Sequence, residues 1–144
     1  MKENMKILVA YDGSSYAKRA LDDAVKIAKK FSGKVTVLHV YWDPTEETHE
    51  GVVRTVERTE VRDRVSIRFL DDLEPELKKT GVKYDLRSER SNHPPSVILR
   101  IAGDEGYDLI AIGGRGLGGA KAWLLGSVSS KVVSEADCPV LVAK

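Results

Sequence analysis

The chain has 144 residues, 42% of them hydrophobic and 31% charged, with a net charge of +1. That is enough for one domain, residues 1–144, with a real core, and too apolar for a disordered segment. The near-neutral balance supplies no basic field for nucleic acid and no acidic tail for a basic partner. Cys138 is the single cysteine, which excludes a disulfide framework within one chain and fits a reducing compartment. The start Met1-Lys2-Glu3-Asn4 is polar, and no apolar run approaches the roughly 18 residues of a membrane span. A soluble, cytoplasmic protein without membrane contact is expected.

Met5 to Tyr11 is an apolar run suited to a strand buried on both faces. Asp12-Gly13-Ser14-Ser15 breaks it and offers several helix caps. Ala17, Ala20, Leu21, Ala24, Ala28 and Phe31 then recur at helical spacing, and Gly33 follows. Lys34 to Tyr41 is the second strand. Trp42 to Arg64 is the least regular stretch, rich in charge and threonine. Val61, Val65, Phe69, Leu73 and Leu77 stand four apart, so a helix covers the 60s and 70s; Pro75 within it predicts a break near Asp71-Asp72. Val82 to Glu89 alternates with polar residues and reads as a less buried third strand. Ser91-Asn92-His93-Pro94-Pro95 turns the chain, with Pro95 suited to open a helix carrying Val97, Ile98, Ile101 and Ala102. Gly103 to Gly106 ends it. Asp108 to Ile112 is a short buried strand, a glycine loop follows, and Val128, Val132, Val133 and Ala136 mark the last helix. Pro139 to Ala143 is the fifth strand.

Strands alternating with helices imply a parallel sheet covered on both faces. Ligands in such sheets sit beyond the carboxyl ends of the strands, where strand order reverses. Asp12, Val40-Tyr41 and the glycine loop therefore belong to one candidate crevice. Strand, glycines and a helix start at Gly126-Ser127 together suggest a phosphate cradle, because helix starts present N–H groups and positive dipole ends. Gly114-x-Gly116-x-x-Gly119 matches a dinucleotide fingerprint, with Asp137 beyond it. That reading is rejected: too little chain remains for a βαβ unit, and the helix begins near Ser127. No G-x-x-x-x-G-K-[ST] loop is present.

Gly113-x-x-Gly116, nine residues, then Gly126-Ser127 is more informative. This spacing resembles the nucleotide motif of the universal stress protein family. The block from Gly113 to Lys144, the opening Ile7-Leu8-Val9-Ala10-Tyr11-Asp12-Gly13-Ser14 and the strand end Leu38-His39-Val40 are similar to that family too. The resemblance implies an α/β, doubly wound, five-stranded parallel sheet of order 3-2-1-4-5, and membership of the ATP-binding branch. It implies that Asp12 and Val40 hold the adenosine end, with Ala10 and Tyr11 beside them. Gly113, Gly114 and Gly116 would line the ribose and phosphates, with Arg115 a phosphate partner. Gly126, Ser127, Val128 and Ser129 would hold phosphates through N–H and hydroxyl groups, with Mg2+ or Mn2+. The family also commonly dimerises through the last strand, here Val140 to Ala143, whose open edge wants covering.

Two positions depart from the family pattern. Trp123 stands where a basic residue is common, and losing a phosphate-facing cation costs about 1.5–3 kcal/mol, about ten-fold or more in affinity; Lys121 and Arg115 are candidates to replace it. Ser91 to Pro95 replaces the usual Gly-Asp-Pro. Plainer readings stand beside the functional ones. Asp12 and Ser127 suit helix caps, Gly118 and Gly119 a merely flexible loop, and Arg115 a solvated surface position. His39 reads as packed, Cys138 as a small buried hydrophobe, and Trp42 and Trp123 as packing residues. His49 and His93 have no metal-ligand spacing. The functional expectation is a nucleotide-regulated stress or signalling protein acting on a protein partner. A slow ATPase and a nucleotide-free dimerisation module are the alternatives.

Overall fold

The structure, a computed structural model, describes residues 4–41, 70–115 and 125–144. Its elements are β1 (Lys6–Ala10), α1 (Ser15–Lys30), β2 (Lys34–Tyr41), α2 (Glu74–Thr80), β3 (Lys83–Arg90), α3 (Pro94–Asp104), β4 (Leu109–Gly113), α4 (Ser127–Glu135) and β5 (Val140–Ala143). The strands form one sheet in the order β3-β2-β1-β4-β5, as the resemblance implied. Every neighbouring pair is parallel. The order reverses between β1 and β4, where Ile7 stands opposite Leu109 and Ala10 opposite Ile112.

Strand residues point alternately to opposite faces, so β1 feeds two cores. Ile7 and Val9 join Ala17, Ala20, Leu21 and Ala24 of α1, with Leu73 and Leu77, on one face. Leu8 joins Leu38, Ile98, Ile101 and Ile110 beneath α3 and α4 on the other. Each fully buried aliphatic side chain contributes about 1.5–3 kcal/mol. The alanines of α1 bring that helix close to the sheet. On the other face the buried Thr36 hydroxyl accepts a hydrogen bond from Tyr107 Oη at 2.9 Å, so the polar group is not orphaned.

The break foreseen near Asp71-Asp72 is present. A turn at Asp72 and Leu73 leads into α2, which carries Pro75 in its first turn, where a missing N–H costs nothing. The helix proposed through the 60s lies outside the described residues. β3 is half-exposed along its length, as its polar alternation suggested. α3 begins at Pro94 rather than Pro95. Cys138 is only half-buried, against the α3 and α4 face, and burial pushes its thiol pKa up. Among the described residues no helix is long and apolar enough to cross a membrane.

Candidate functional site

The carboxyl ends of β1, β2 and β4 open into a cleft of about 460 Å³. Of the positions singled out from sequence, Ala10, Tyr11, Asp12, Val40, Gly113, Arg115, Gly126, Ser127, Val128 and Ser129 line it. Gly114 is not in the lining. Gly116 lies outside the described residues, as do Trp42, His49, Gly118, Gly119, Lys121 and Trp123. The sequence reading missed Ala17, Leu38, Pro94, Ile98, Ile112 and Leu125. Two of these had a legible signal. Leu38 stands two residues before Val40 on β2 and so shares its face. Ile98 stands four after Pro94, one helical turn along.

Three helix starts meet at this cleft, and their chemistry differs. At α1 the Asp12 carboxylate accepts from Ser14 N at 2.9 Å. Ser14, not Asp12, is the helix cap, its Oγ accepting from Ala17 N at 3.1 Å. Asp12 therefore fastens the turn before the helix and places negative charge there. At α3 the first two helical residues are Pro94 and Pro95, which have no N–H to offer, and Pro94 presents an apolar ring to the cleft instead. At α4 the cap position belongs to Gly126 rather than Ser127, and no side chain caps it. The first helical bond runs from Ser130 N to Gly126 O at 2.9 Å. The N–H groups of Ser127, Val128 and Ser129 therefore make no bond within the helix.

The glycines at the end of β4 answer to protein packing. A Cβ at Gly113 would lie 2.8 Å from Tyr16 C, Tyr16 Cβ and Ala17 N, so glycine lets α1 begin directly on the strand end. A Cβ at Gly114 would lie 3.2 Å from Ala143 O and 3.3 Å from Val142 Cγ1. The Gly114 peptide is a junction. Its N–H donates to Ala143 O at 2.7 Å, and its carbonyl accepts from Gly126 N at 2.7 Å and from Ser129 Oγ at 2.9 Å. Ser129 is buried, and its hydroxyl also reaches Gly126 O at 3.1 Å, so it fixes the loop to α4.

Arg115 leaves this junction and lines the cleft. Its guanidinium lies 4.7 Å from the centre of the Tyr16 ring, and Arg115 Nη2 donates to Tyr16 Oη. On the opposite side Tyr11 N donates to Leu38 O at 2.8 Å, and the Tyr11 carbonyl meets His39 Nδ1 at 2.9 Å. His39 is thus packed, as expected. Burial raises the Tyr11 phenol above its ordinary pKa against the pull of Lys18, with Glu76, Asp12 and Asp22 adding to the rise. Among the described residues no group of three or more His, Cys, Asp or Glu gathers as a metal site.

The universal stress protein family model matches residues 3–144. The chain belongs to the universal stress protein family. It is 35% identical to universal stress protein YxiE of Bacillus subtilis over 153 aligned positions, covering 96% of this chain and 98% of that one. The hypothetical protein MJ0577 has the same fold, with a TM-score of 0.81 and 29% identity over 96% of this chain and 94% of its own. More distant proteins share the fold at TM-scores of 0.71 and 0.67 and 22% and 23% identity. They are a universal stress protein in complex with cAMP and one from Archaeoglobus fulgidus in complex with dAMP.

Proposed function

We propose that this universal stress protein binds ATP in the cleft as a regulatory ligand for stress response or signalling. The observation that carries the reading is the contrast among the three helix starts. One bears a carboxylate and caps its third N–H with Ser14, one has prolines in place of N–H donors, and of the three α4 alone presents three successive N–H groups with neither a helical partner nor a side-chain cap. An elongated ligand with an apolar ring at one end and negative charge at the other fits this polarity. The adenine ring would lie among Leu38, Val40, Pro94 and Ile98. Asp12 would accept from the adenosine hydroxyls. The phosphates would run to Ser127, Val128 and Arg115, where N–H donors and the helix dipole favour anions. Mg2+ or Mn2+ would arrive with the nucleotide and be held mainly by phosphate oxygens, in keeping with the small carboxylate content of the cleft.

The role proposed is binding rather than turnover. Asp12 is the one carboxylate among the described lining residues, it is engaged with Ser14 N, and it sits at the start of α1 rather than α4. Calorimetric titration of Mg·ATP, AMP and adenosine into nucleotide-stripped protein tests the reading. One site per chain, tightest for ATP, is the expected result; no heat with any of the three sinks it. Phosphate release that disappears in Ser127→Ala protein would replace binding with slow hydrolysis.

β5 carries the second part of the proposal. It lies at the sheet edge, its apolar residues Val140, Leu141 and Val142 are only half-buried, and an apolar edge strand wants a partner. A homodimer formed through β5 in the cytoplasm, presenting the loaded cleft to a protein partner, is the assembly proposed. Light scattering at micromolar concentration should give twice the chain mass, and a monomer mass would remove this part alone.

A further inference from the structure

We infer that Tyr16 is a positioning residue that holds Arg115 at the phosphate end of the cleft and so sets the preference for polyphosphate over unphosphorylated nucleosides. The inference rests on the nucleotide reading above and goes beyond it, because Tyr16 is not in the cleft lining.

Tyr16 is fixed from below. It lies in the first turn of α1, and its backbone and Cβ pack directly over Gly113, where a methyl group would not fit. The root of its side chain is therefore set by the junction of β4 and α1. Arg115 meets this ring in two ways, through the cation–π contact at 4.7 Å and through the hydrogen bond from Nη2 to the phenol oxygen. Two contacts of different geometry restrict both the position and the plane of the guanidinium. A long side chain restrained before the ligand arrives loses less rotamer entropy when it meets a phosphate.

A second cation meets the same ring from outside the cleft lining. The Arg19 guanidinium lies 5.5 Å from the same ring, and Arg19 Nη1 donates to the Lys144 backbone oxygen at 2.5 Å. One tyrosine thus gathers two positive groups beside the loop whose next peptide, Gly114, anchors the start of α4. Asp12, the carboxylate of the described lining, is assigned to the adenosine end by the nucleotide reading. A terminal phosphate gains from this asymmetry, and an adenosine does not.

The test compares ATP, AMP and adenosine binding by calorimetry in wild type, Tyr16→Phe, Tyr16→Ala, Arg115→Gln and the Tyr16→Ala/Arg115→Gln double variant, with thermal unfolding run on each. Tyr16→Ala should lose about ten-fold in ATP affinity, the worth of one charged hydrogen bond, with adenosine affinity held within about two-fold. Tyr16→Phe keeps the ring and should fall between wild type and Tyr16→Ala. In the Arg115→Gln background Tyr16→Ala should cost nothing further, because both act through one group. Equal losses for ATP and adenosine would assign Tyr16 a structural role and overturn the inference. So would full additivity in the double variant, or an unchanged ATP affinity in Tyr16→Ala. Those failures leave the nucleotide reading standing. A wild type that binds no ATP removes the reading and this inference together.

Discussion

The starts of α3 and α4 occupy comparable places, each facing the same cleft from the same side of the sheet, yet they offer a ligand opposite surfaces. Pro94 and Pro95 give α3 an apolar opening without donors. Gly126 and Ser127 give α4 an uncapped opening with three N–H groups directed out of the helix. The doubly wound topology delivers helix starts to the crevice whatever their sequence. On the nucleotide reading proposed above, two residues at each start would decide which end receives a ring and which a phosphate. The fold supplies the site, and local backbone chemistry supplies its direction.

That contrast can be broken at several points. The largest effect is expected where the cleft floor itself depends on a missing side chain. Gly113→Ala should destabilise the protein by about 1–3 kcal/mol, measured by urea unfolding, because backbone at the start of α1 must move. Next, Ser127→Pro converts α4 into a copy of α3. Gly126 has ψ 167°, which suits a following proline, and proline is welcome at a first helical position. The helix should survive while ATP affinity falls about ten-fold and adenosine affinity holds, with Ser127→Ala separating hydroxyl from N–H. Pro94→Ala acts on the apolar end. It should weaken ATP and adenosine alike, by about three- to ten-fold for the loss of one or two buried methylene groups. The smallest effect is expected of Pro95→Ala, which restores an N–H to α3 away from the lining. ATP affinity should stay within about two-fold of wild type in the same titration, since one amide facing the apolar end gives a phosphate little.

Much of the architecture was readable from residue pattern. β2 appears from Lys34 to Tyr41 as its apolar run indicated, and Pro75 marked the break ahead of α2. The strand order came from the family resemblance, because spacing alone does not say that β1 neighbours β4. The glycines show what a sequence leaves unsaid. A glycine-rich end to a strand suggested a phosphate cradle; Gly113, which does line the cleft, also makes room for Tyr16 and Ala17, and a side chain at Gly114 would crowd Val142 and Ala143. Those partners are distant in sequence, and no local pattern announces them. The cap of α1 was ambiguous for a related reason. Asp12, Gly13, Ser14 and Ser15 all suit the role, and only the path of the chain selects Ser14. Tyr16 gave no signal, since its work depends on meeting Arg115 across the fold.

The position of β1 at the middle of the sheet also bears on how the chain is made. The ribosome releases Ile7 long before Leu109, its partner across the reversal point. Until then the edge of β1 that faces β4 has no strand to pair with, and an unpaired edge is a liability. The cleft comes later still, because its wall includes Gly126 to Ser129. A nascent chain can therefore hold most of its helices and have no binding site. Ligand retention would distinguish the finished molecule from every shorter precursor.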